Sequence, residues 1–223
     1  MKLIDQSYEI HEYMGINQIE SAARTCYKSE ANNDGDMEKT KAFIKGLIKR
    51  GHIAMLEHSY LSVKFITDRG ISHELVRHRH FSYAQESTRY CNYNKGDGIT
   101  FIKPYWYDGA SPNNKMIFEE HLESVEKLYN YLINDGHTPQ EARDILPNCL
   151  KTEIIVSGNF REWIHFLNLR AANSTGPAHP QMNKLVCPLC IELRERIPVI
   201  FDEVYERMLD DKYAAKYIES YKI

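Results

Sequence analysis

The sequence predicts an α+β fold in which helices flank a small, largely antiparallel sheet, with residues 1–223 forming one domain. Helical spacing dominates the second half of the chain, and strand-type alternation is confined to short stretches. No repeat, low-complexity tract or Pro/Gly/Ser-rich linker divides the sequence. A mixed rather than strictly alternating order of helices and strands is typical of this class. With 223 residues, 43% of them hydrophobic, the chain can bury a substantial core.

The first half predicts a helix followed by two strands. Phe43, Ile44, Leu47 and Ile48 recur at helical spacing, and Gly51 stands where a C-terminal cap would end that helix. The stretch SYLSVKF then alternates apolar and polar residues, which is typical of a half-buried strand over residues 59–65. A second short strand is predicted from the letters ITFIK, residues 99–103.

The second half is predicted to be mostly helical. Apolar residues at helical spacing mark a long helix that stops at Gly136; they are Ile117, Leu122, Val125, Leu128, Leu132 and Ile133. Thr138 with Glu141 three residues later forms a capping-box pattern, and Pro139 falls in the first turn of the next helix. That helix should run through ARDIL and stop at Pro147.

Residues 151–170, KTEIIVSGNFREWIHFLNLR, predict a strand that turns into a helix at Ser157–Asn159, with Asn159 as the cap. The amides at this helix start would be able to meet an anion or a polar ring. On the helix, Arg161, His165 and Asn168 fall at spacings of four and three residues and should share a face. A second set on another side should pack into the core: Trp163, Ile164 and Leu167.

Composition and charge exclude several classes of protein. The formal net charge of -3 and a pI near 6.4 argue against a general nucleic-acid or membrane-surface binder. No apolar run approaches the roughly 20 residues that cross a bilayer, and the start, MKLIDQSYEIHEYM, lacks the apolar core of a signal peptide. We therefore expect a soluble, cytoplasmic protein whose anion sites are local.

The five cysteines predict neither disulfides nor a metal site. Only CPLC, Cys187 to Cys190, has metal-like spacing, and the other three cysteines supply no second pair for a structural zinc site. A lone redox motif is the alternative, but CPLC lies within a helical pattern rather than after a strand. We interpret both cysteines as buried helix residues, because free cysteine behaves as a small hydrophobe.

The stretch RHRHFSYAQESTRY, residues 77–90, places four basic or titratable side chains together before hydroxyl, amide and aromatic residues. Arginine holds phosphate bidentately, and six arginines lie in or beside the polar motifs: Arg77, Arg79, Arg89, Arg143, Arg161 and Arg170. Hydroxyls at Ser82, Ser87 and Thr88 could bond a sugar or base. A solvated helix face or a localisation signal is the alternative, although such signals favour lysine-rich runs. The residues indicate a site for an anionic ligand.

A second histidine cluster lies in GHIAMLEHS, where His52 and His58 are six residues apart rather than the four of a zincin helix. We interpret His58 as a core histidine and leave His52 open as a loop residue. A metal-dependent phosphohydrolase using these two with His78 and His80 is an alternative, but aspartates beside the histidines would be expected as hard ligands. A nucleotide-binding regulatory module without catalysis is another.

Four ordered blocks resemble the flavin-dependent thymidylate synthases. RHRHFSYAQES fits the family's Arg-His-Arg, seven residues, Ser pattern between Arg77 and Ser87. GHIAMLEH, ARDILP and GNFREWIHFLNLR resemble three further family segments in the same order, so that the likeness covers roughly residues 20–190. The resemblance implies reductive methylation of dUMP to dTMP, with 5,10-methylenetetrahydrofolate as one-carbon donor and NADPH-reduced FAD as hydride source. It also implies a homotetramer whose active sites are shared between subunits.

Residue roles are likewise implied by this resemblance. The FAD contacts would be Arg77, His78, Arg79, Gln85, Asn159, Arg161 and His165. The dUMP pocket would be lined by Glu74, Arg77, Gln85, Glu86, Ser87, Thr88, Arg89, Arg143 and Arg170. Arg170 stands at the position credited with activating the uracil ring. Family members use no enzyme nucleophile, which makes Ser87 a hydrogen-bonding residue, and no metal is implied.

Three positions depart from the family pattern. Glu74 stands where glutamine is expected, which replaces a donor to the pyrimidine by an acceptor. His165 stands where asparagine is common, and this preserves polarity but alters ring contacts. Ala54 replaces a small hydroxyl residue and so removes one FAD contact. These departures limit how far the residue roles of the family transfer to this chain.

Overall fold

The computed structural model describes residues 1–32, 35–96 and 98–219. The strands are β1 (Lys2–Ile4), β2 (Ser7–Tyr13), β3 (Tyr60–Asp68), β4 (Ser82–Gln85), β5 (Thr100–Ile102) and β6 (Lys151–Asn159). The helices are α1 (Asn17–Cys26), α2 (Met37–Lys49), α3 (Arg69–Leu75), α4 (Pro112–Asn134), α5 (Pro139–Ala142), α6 (Phe160–Arg170), α7 (Pro180–Arg196), α8 (Asp202–Asp210) and α9 (Ala215–Glu219). Short 3-10 turns span Glu30–Asn32, Ile53–His58 and Arg143–Ile145.

The predicted α+β class is confirmed: the structure mixes helices with a small antiparallel sheet. Four strands are ordered β2-β3-β6-β4, and β1 pairs with β5 in a separate two-stranded sheet. That second pair is parallel, with Lys2 opposite Thr100 and Ile4 opposite Ile102. Antiparallel pairing is therefore predominant but not universal, as the sequence predicted.

The chain forms two compact units, each made of several segments. The first consists of residues 1–7, 64–77 and 83–155, and the second of residues 8–63, 78–82 and 156–223. The core of the first unit is built on β5 and α4, where Phe101, Leu122 and Tyr129 are fully buried. In the second unit, Trp163 and Phe201 are fully buried. Each unit thus has its own apolar interior, which follows from the large buried side chains that the helical and strand patterns supply.

The predicted strand-to-helix turn at Ser157–Asn159 is confirmed. The Asn159 side chain accepts a hydrogen bond from the Glu162 N–H at 2.9 Å, which caps the first turn of α6. The Trp163 indole donates to the Leu61 carbonyl at 3.0 Å, so the buried ring has its polar atom satisfied. This pair fixes α6 against β3 within the second unit.

The helix predicted to run through ARDIL is shorter than expected. α5 ends at Ala142, and Arg143–Ile145 continue as a 3-10 turn. Leu146, the residue before Pro147, is extended with φ -78 and ψ 130. Proline disfavours the helical conformation of its preceding residue, and the chain tightens into a 3-10 turn before that point. The capping pattern itself is present, because Glu141 accepts from the Thr138 N–H at 2.8 Å.

Sequence reasoning assigned no element to the first 27 residues, yet β1, β2 and α1 lie there. It also missed β4, which is the SYAQ part of the basic motif. β2 and β4 bury no residue fully. β2 alternates only at Tyr8 and Ile10, and β4 is four residues long, so neither strand shows the sustained apolar alternation that identifies a strand from sequence.

The interpretation of CPLC is confirmed. Cys187 and Cys190 are free and buried on α7, which continues through Pro188. Burial raises the pKa of the Cys187 thiol to about 12, and burial also raises the pKa of Cys190. Both are held as thiols rather than thiolates, and they therefore pack as small apolar side chains.

Candidate active site

A cavity of about 710 Å³ opens beside the start of α6 in the second unit. Its lining includes three of the predicted residues of that region: Asn159, Arg161 and His165. Its other lining residues are Ile53, Leu56, Glu57, His80, Glu162, Ile164 and Asn168. A cavity of this volume, with apolar walls and a few polar groups, is typical of sites for small organic ligands.

The predicted shared face of α6 is confirmed, since Arg161, His165 and Asn168 all line this cavity. The expectation that Ile164 packs into the core is wrong. Ile164 is only half-buried and forms part of the cavity wall, whereas Trp163 and Leu167 are fully buried. The reason is that residues three and four apart share a helix face, and Ile164 lies three residues after Arg161.

Arg161 is held by an ion pair across the cavity. Its guanidinium donates to the Glu57 carboxylate at 2.5 Å, and both side chains are about half exposed. Glu57 comes from the 3-10 turn Ile53–His58, which brings the histidine-rich segment to the site. The interpretation of His58 as a core histidine is wrong, because His58 is exposed at the end of that turn, as is His52 at its start.

The four side chains of the basic segment, residues 77–80, differ in burial. Arg77, Arg79 and His80 are exposed, and His78 is 6% exposed. The Arg170 Nε donates to His78 Nε2 at 3.1 Å, which joins two motifs 92 residues apart in sequence. The Asn183 side chain donates to the Arg170 carbonyl at 2.6 Å and fixes the end of α6. The residue predicted to activate a uracil ring is thus oriented by the middle residue of the Arg-His-Arg motif.

His78 is neutral in this setting. Burial lowers its pKa from 6.5 to about 4, and the charges of Arg170 and His165 act in the same direction. Because Nε2 accepts the Arg170 hydrogen bond, the neutral ring carries its proton on Nδ1. The ring packs edge-on against Phe166 at 4.9 Å between centroids. The protein therefore holds His78 as an acceptor with a fixed orientation.

This depressed pKa predicts a loss of stability in mild acid. Between about pH 6.5 and 4 the unfolded chain binds a proton at His78 that the folded chain does not, so the free energy of unfolding should fall as the pH drops through that window. The total loss from this group should be about 3 kcal/mol. Urea unfolding at several pH values would measure it. His78→Gln keeps an acceptor without a titratable ring, and an unchanged pH dependence in that variant would contradict the assignment.

The first unit carries most of the predicted nucleotide residues, and two of them are held by polar contacts within that unit. The Gln85 amide donates to Ser72 Oγ at 2.8 Å and to Thr152 Oγ1 at 3.2 Å. Glu86 accepts from the Tyr93 hydroxyl at 2.8 Å and from Lys151 at 3.2 Å. Half-buried side chains with such partners are fixed in position by the fold.

A smaller cavity of about 240 Å³ in the first unit brings Thr88 and Arg143 together. Arg143 donates to Thr88 Oγ1 at 3.4 Å. Arg69 and His73 line the same cavity, and sequence reasoning did not single them out. Both belong to α3, directly after β3, and polar residues following a strand end are a signal that would have identified them. A cationic pocket of this composition suits a phosphate group.

The other residues predicted from the sequence are exposed or half-buried. The Arg77 N–H donates to the Glu74 carbonyl at 3.3 Å, and Glu74 is half-buried. Ser87 Oγ accepts from the Arg89 N–H at 3.3 Å, and the Arg89 guanidinium lies 5.4 Å from the centre of the Tyr90 ring. Ala54 is exposed in the second unit, within Ile53–His58. Geometry alone assigns no role to these residues.

Within the described ranges, histidine, cysteine and carboxylate side chains form no cluster of three or more that could hold a metal ion. In the same part of the chain, no helix is both long and apolar enough to span a bilayer.

An α+β fold whose second unit carries a cavity lined by Arg161, His80 and His165 defines a protein with a candidate site for a small organic ligand. Residues 9–199 match the family described as thymidylate synthase complementing protein. A flavin-dependent thymidylate synthase from Corynebacterium aurimucosum is 32% identical over 206 residues, covering 86% of this chain and 81% of that protein. One from Geobacter sulfurreducens is 37% identical over 155 residues, covering 67% and 66%. The chain therefore belongs to the flavin-dependent thymidylate synthases, and it is a methyltransferase enzyme.

A solved structure supports the fold. The UMP/dUMP methylase PolB from Streptomyces cacaoi, bound with 5-Br dUMP, superposes with a TM-score of 0.76. The match covers 92% of this chain and 97% of that chain at 20% sequence identity. At this identity the likeness extends to the arrangement of helices and strands.

Proposed function

We propose that this protein converts dUMP to dTMP, with 5,10-methylenetetrahydrofolate as the one-carbon donor and NADPH-reduced FAD as the hydride source. The observation that carries the proposal is the hydrogen bond from Arg170 to His78, which ties the family's two arginine-containing motifs together. The enzyme supplies binding, orientation and electrostatic stabilisation around the reacting groups. Kinship with flavin-dependent enzymes supports the flavin, and the likeness to a UMP/dUMP methylase supports a uridine nucleotide as substrate.

The cavity beside α6 fits a flavin. Its volume of about 710 Å³ falls in the range of cofactor sites, and Ile53, Leu56 and Ile164 provide apolar surface for a ring system. The Arg161 guanidinium, paired with Glu57, together with Asn159 and His165, supplies groups that can form hydrogen bonds. Arg79 and His78 would complete the set from the basic motif. When bound, the flavin supplies the hydride chemistry.

Arg170 would favour the ionised form of the uracil ring. Arginine stays charged at ordinary pH and so cannot act as a base, but its guanidinium can stabilise negative charge that develops on a ring. The neutral His78 accepts one Arg170 N–H at 3.1 Å, which restrains the guanidinium in one orientation. The positively charged guanidinium is therefore already oriented before the reaction begins.

The nucleotide would be held by residues of the first unit. Arg143 and Thr88, with Arg69 and His73 beside them, are suited to a phosphate. Arg77, Glu74, Arg89 and Gln85 through Ser87 would contact the sugar and base. Ser87 would act as a hydrogen-bonding residue, since its family uses no enzyme nucleophile and no histidine and carboxylate stand at the spacing of a catalytic triad.

The assembly in this proposal is a cytoplasmic homotetramer whose active sites are shared between subunits. More arginines are present in the motifs than one nucleotide requires, which agrees with sites that each draw on several chains. Shared sites also predict that dilution below the dissociation concentration lowers flavin content and activity together.

The visible absorbance spectrum of the purified protein tests the proposal first. We expect a flavin spectrum that bleaches under anaerobic NADPH, faster when dUMP is added, followed by dTMP formation once methylenetetrahydrofolate is supplied. A protein that neither carries flavin nor takes up added FAD would contradict it. A flavoprotein that bleaches but forms no dTMP would retain the cofactor assignment and overturn the assigned reaction.

Replacing Arg79 with alanine should lower the flavin content. The loss of one charge-assisted hydrogen bond costs roughly 1.5–3 kcal/mol, which corresponds to a roughly 10- to 150-fold weaker FAD affinity. Arg50→Ala, which removes an exposed arginine at the end of α2, is the matched control and should bind FAD normally. Flavin stoichiometry after gel filtration measures both, and equal stoichiometry in the two variants would remove Arg79 from the FAD site.

A further inference from the structure

A further cavity, of about 430 Å³, lies at the C-terminal end of α6 in the second unit. Leu169 and Arg170 form one wall of this cavity, and residues 175–178 form the other. The second wall belongs to the loop that joins α6 to α7, and its letters are part of the stretch AANSTGPAHPQ, residues 171–181. The residue assigned to the uracil ring therefore borders a cavity whose opposite wall is this loop.

The loop is closed by Asn173. Its backbone has φ 51°, in the left-handed region that asparagine adopts more readily than most residues. The Asn173 carbonyl accepts from the Gly176 N–H at 3.0 Å. Its side-chain Oδ1 accepts from the Ala178 N–H at 2.8 Å. One residue thus fixes the loop through both its backbone and its side chain.

The end of α6 is held by Asn183, which lies on α7 and is 2% exposed. Both hydrogens of its Nδ2 have partners: the Arg170 carbonyl at 2.6 Å and Asn173 Oδ1 at 3.2 Å. Carbonyls in the last turn of a helix have no partner within the helix itself. Asn183 therefore supplies the partner for Arg170 and joins the helix end directly to the loop.

The amide of Asn173 has a single possible orientation. Its Nδ2 donates to the Asp211 carboxylate at 2.7 Å, and its Oδ1 accepts from the Ala178 N–H. A carboxylate can only accept and a backbone N–H can only donate, so reversing the amide would break both contacts. The same Asp211 oxygen accepts from the Ala214 N–H at 2.8 Å, which ties the network to the turn between α8 and α9. Buried amides with this many partners are held in one arrangement.

The position of the α6 end decides whether Arg170 reaches His78. The Arg170 Nε donates to His78 Nε2 at 3.1 Å. A displacement of the helix end by about 0.5 Å would stretch this contact beyond the range of a hydrogen bond. The two asparagines restrain the Arg170 backbone, whereas His78 restrains its guanidinium. Both restraints are needed for a fixed orientation.

We propose that Asn173 and Asn183 are positioning residues for Arg170. Together, as the asparagine clamp, they hold the two walls of the cavity at a fixed separation and keep the guanidinium on His78. The effect on the reaction rests on the proposed function, in which Arg170 stabilises negative charge on the uracil ring. The effect on the Arg170 side chain does not depend on that reaction.

A double-mutant cycle tests the clamp. Asn183→Ala should lower kcat for dTMP formation by roughly 10- to 100-fold, because a small misplacement of a charged group costs this much, while flavin stoichiometry stays unchanged. In an Arg170→Ala background the same substitution should lower the rate by less than about twofold, since the group that it positions is absent. An equal loss in both backgrounds would make the role of Asn183 merely structural and would overturn the proposal.

Two further variants make the cycle specific. Asn173→Asp keeps the size, the backbone preference and the acceptor for Ala178, but it places an oxygen against the Asp211 carboxylate. It should show the same coupling to Arg170, and it carries the cycle if circular dichroism shows that Asn183→Ala is unfolded. Cys190→Ala removes a buried group two turns further along α7 and should change the rate by equal factors in both backgrounds. Wild-type rates in both asparagine variants would overturn the proposal.

Solvent exchange of the Arg170 Nε–H provides a measurement that needs no reaction. In ¹⁵N–¹H spectra of the full chain, this signal is assigned by its loss in Arg170→Ala. We expect slow exchange in the wild type and in Cys190→Ala, and at least roughly tenfold faster exchange in Asn183→Ala, because the hydrogen bond to His78 is lost. Equal exchange rates in all three would overturn the clamp. A wild type that forms no dTMP but shows the expected exchange difference would instead overturn the proposed function and retain the clamp.

Discussion

Replacing Arg170 with alanine is expected to lower the rate of dTMP formation by about 10²–10³-fold while the flavin stays bound. This size of effect is typical when one oriented hydrogen-bond donor to a developing negative charge is removed from a site. In the wild type, the guanidinium is held at 3.1 Å from His78 Nε2 and its backbone carbonyl accepts from Asn183. The side chain is therefore positioned before substrate arrives.

Two substitutions distinguish this role from general loss of positive charge. Arg170→Lys keeps the charge but loses the planar fork of donors, and it should recover only a small part of the rate. His78→Gln leaves Arg170 in place and keeps an acceptor for it, so this variant should lose much less of the rate than Arg170→Ala does. Steady-state kinetics with dUMP, together with flavin absorbance, measure these effects. Full activity in Arg170→Ala would overturn the assignment, and a rise in KM with an unchanged kcat would limit Arg170 to substrate binding.

Gly158→Ala is expected to destabilise the protein and loosen the basic motif at the same time. A Cβ atom at this buried position of β6 would overlap the ring of Phe81. That ring cannot move freely, because it packs against Trp163 at 4.7 Å and Phe166 at 5.8 Å between centroids. Overpacking of this kind costs about 1–3 kcal/mol, which lowers Tm by roughly 2–4 °C per kcal/mol in a chain of this size. Since Phe81 follows Arg77–His80 directly, flavin content should fall too.

A matched glycine and a compensating change make this test specific. Gly15 has open space around the position of an added Cβ, and Gly15→Ala should leave Tm within about 2 °C of the wild type. Phe81→Leu removes ring atoms and should recover part of the stability lost in Gly158→Ala when the two are combined. Thermal unfolding by circular dichroism measures all four proteins. Equal Tm values for the Gly158 and Gly15 variants would contradict the steric argument.

The sequence predicted correctly those helices, strands and caps that depend on residues close together in the chain. The Asn159 cap, the β6 strand before it and the shared face of Arg161 and His165 depend on neighbours within about four positions, so spacing alone identifies them. The Arg-His-Arg motif with three ordered blocks likewise identified the family, which the comparisons confirm. The roles of individual site residues remain proposals that the experiments above test.

The tertiary structure decided which residues of each predicted segment are buried and which side chains they contact. The sequence of RHRH contains no sign that His78 alone would be buried, or that its partner would be Arg170, 92 residues later. Ile164 and His58 were misplaced for the same reason, because residue type predicts burial only on average. By itself the sequence determined the family, the α+β class and the positions of the main turns. Which side chains are buried, paired or exposed required the tertiary structure, since burial depends on packing between segments distant in the chain.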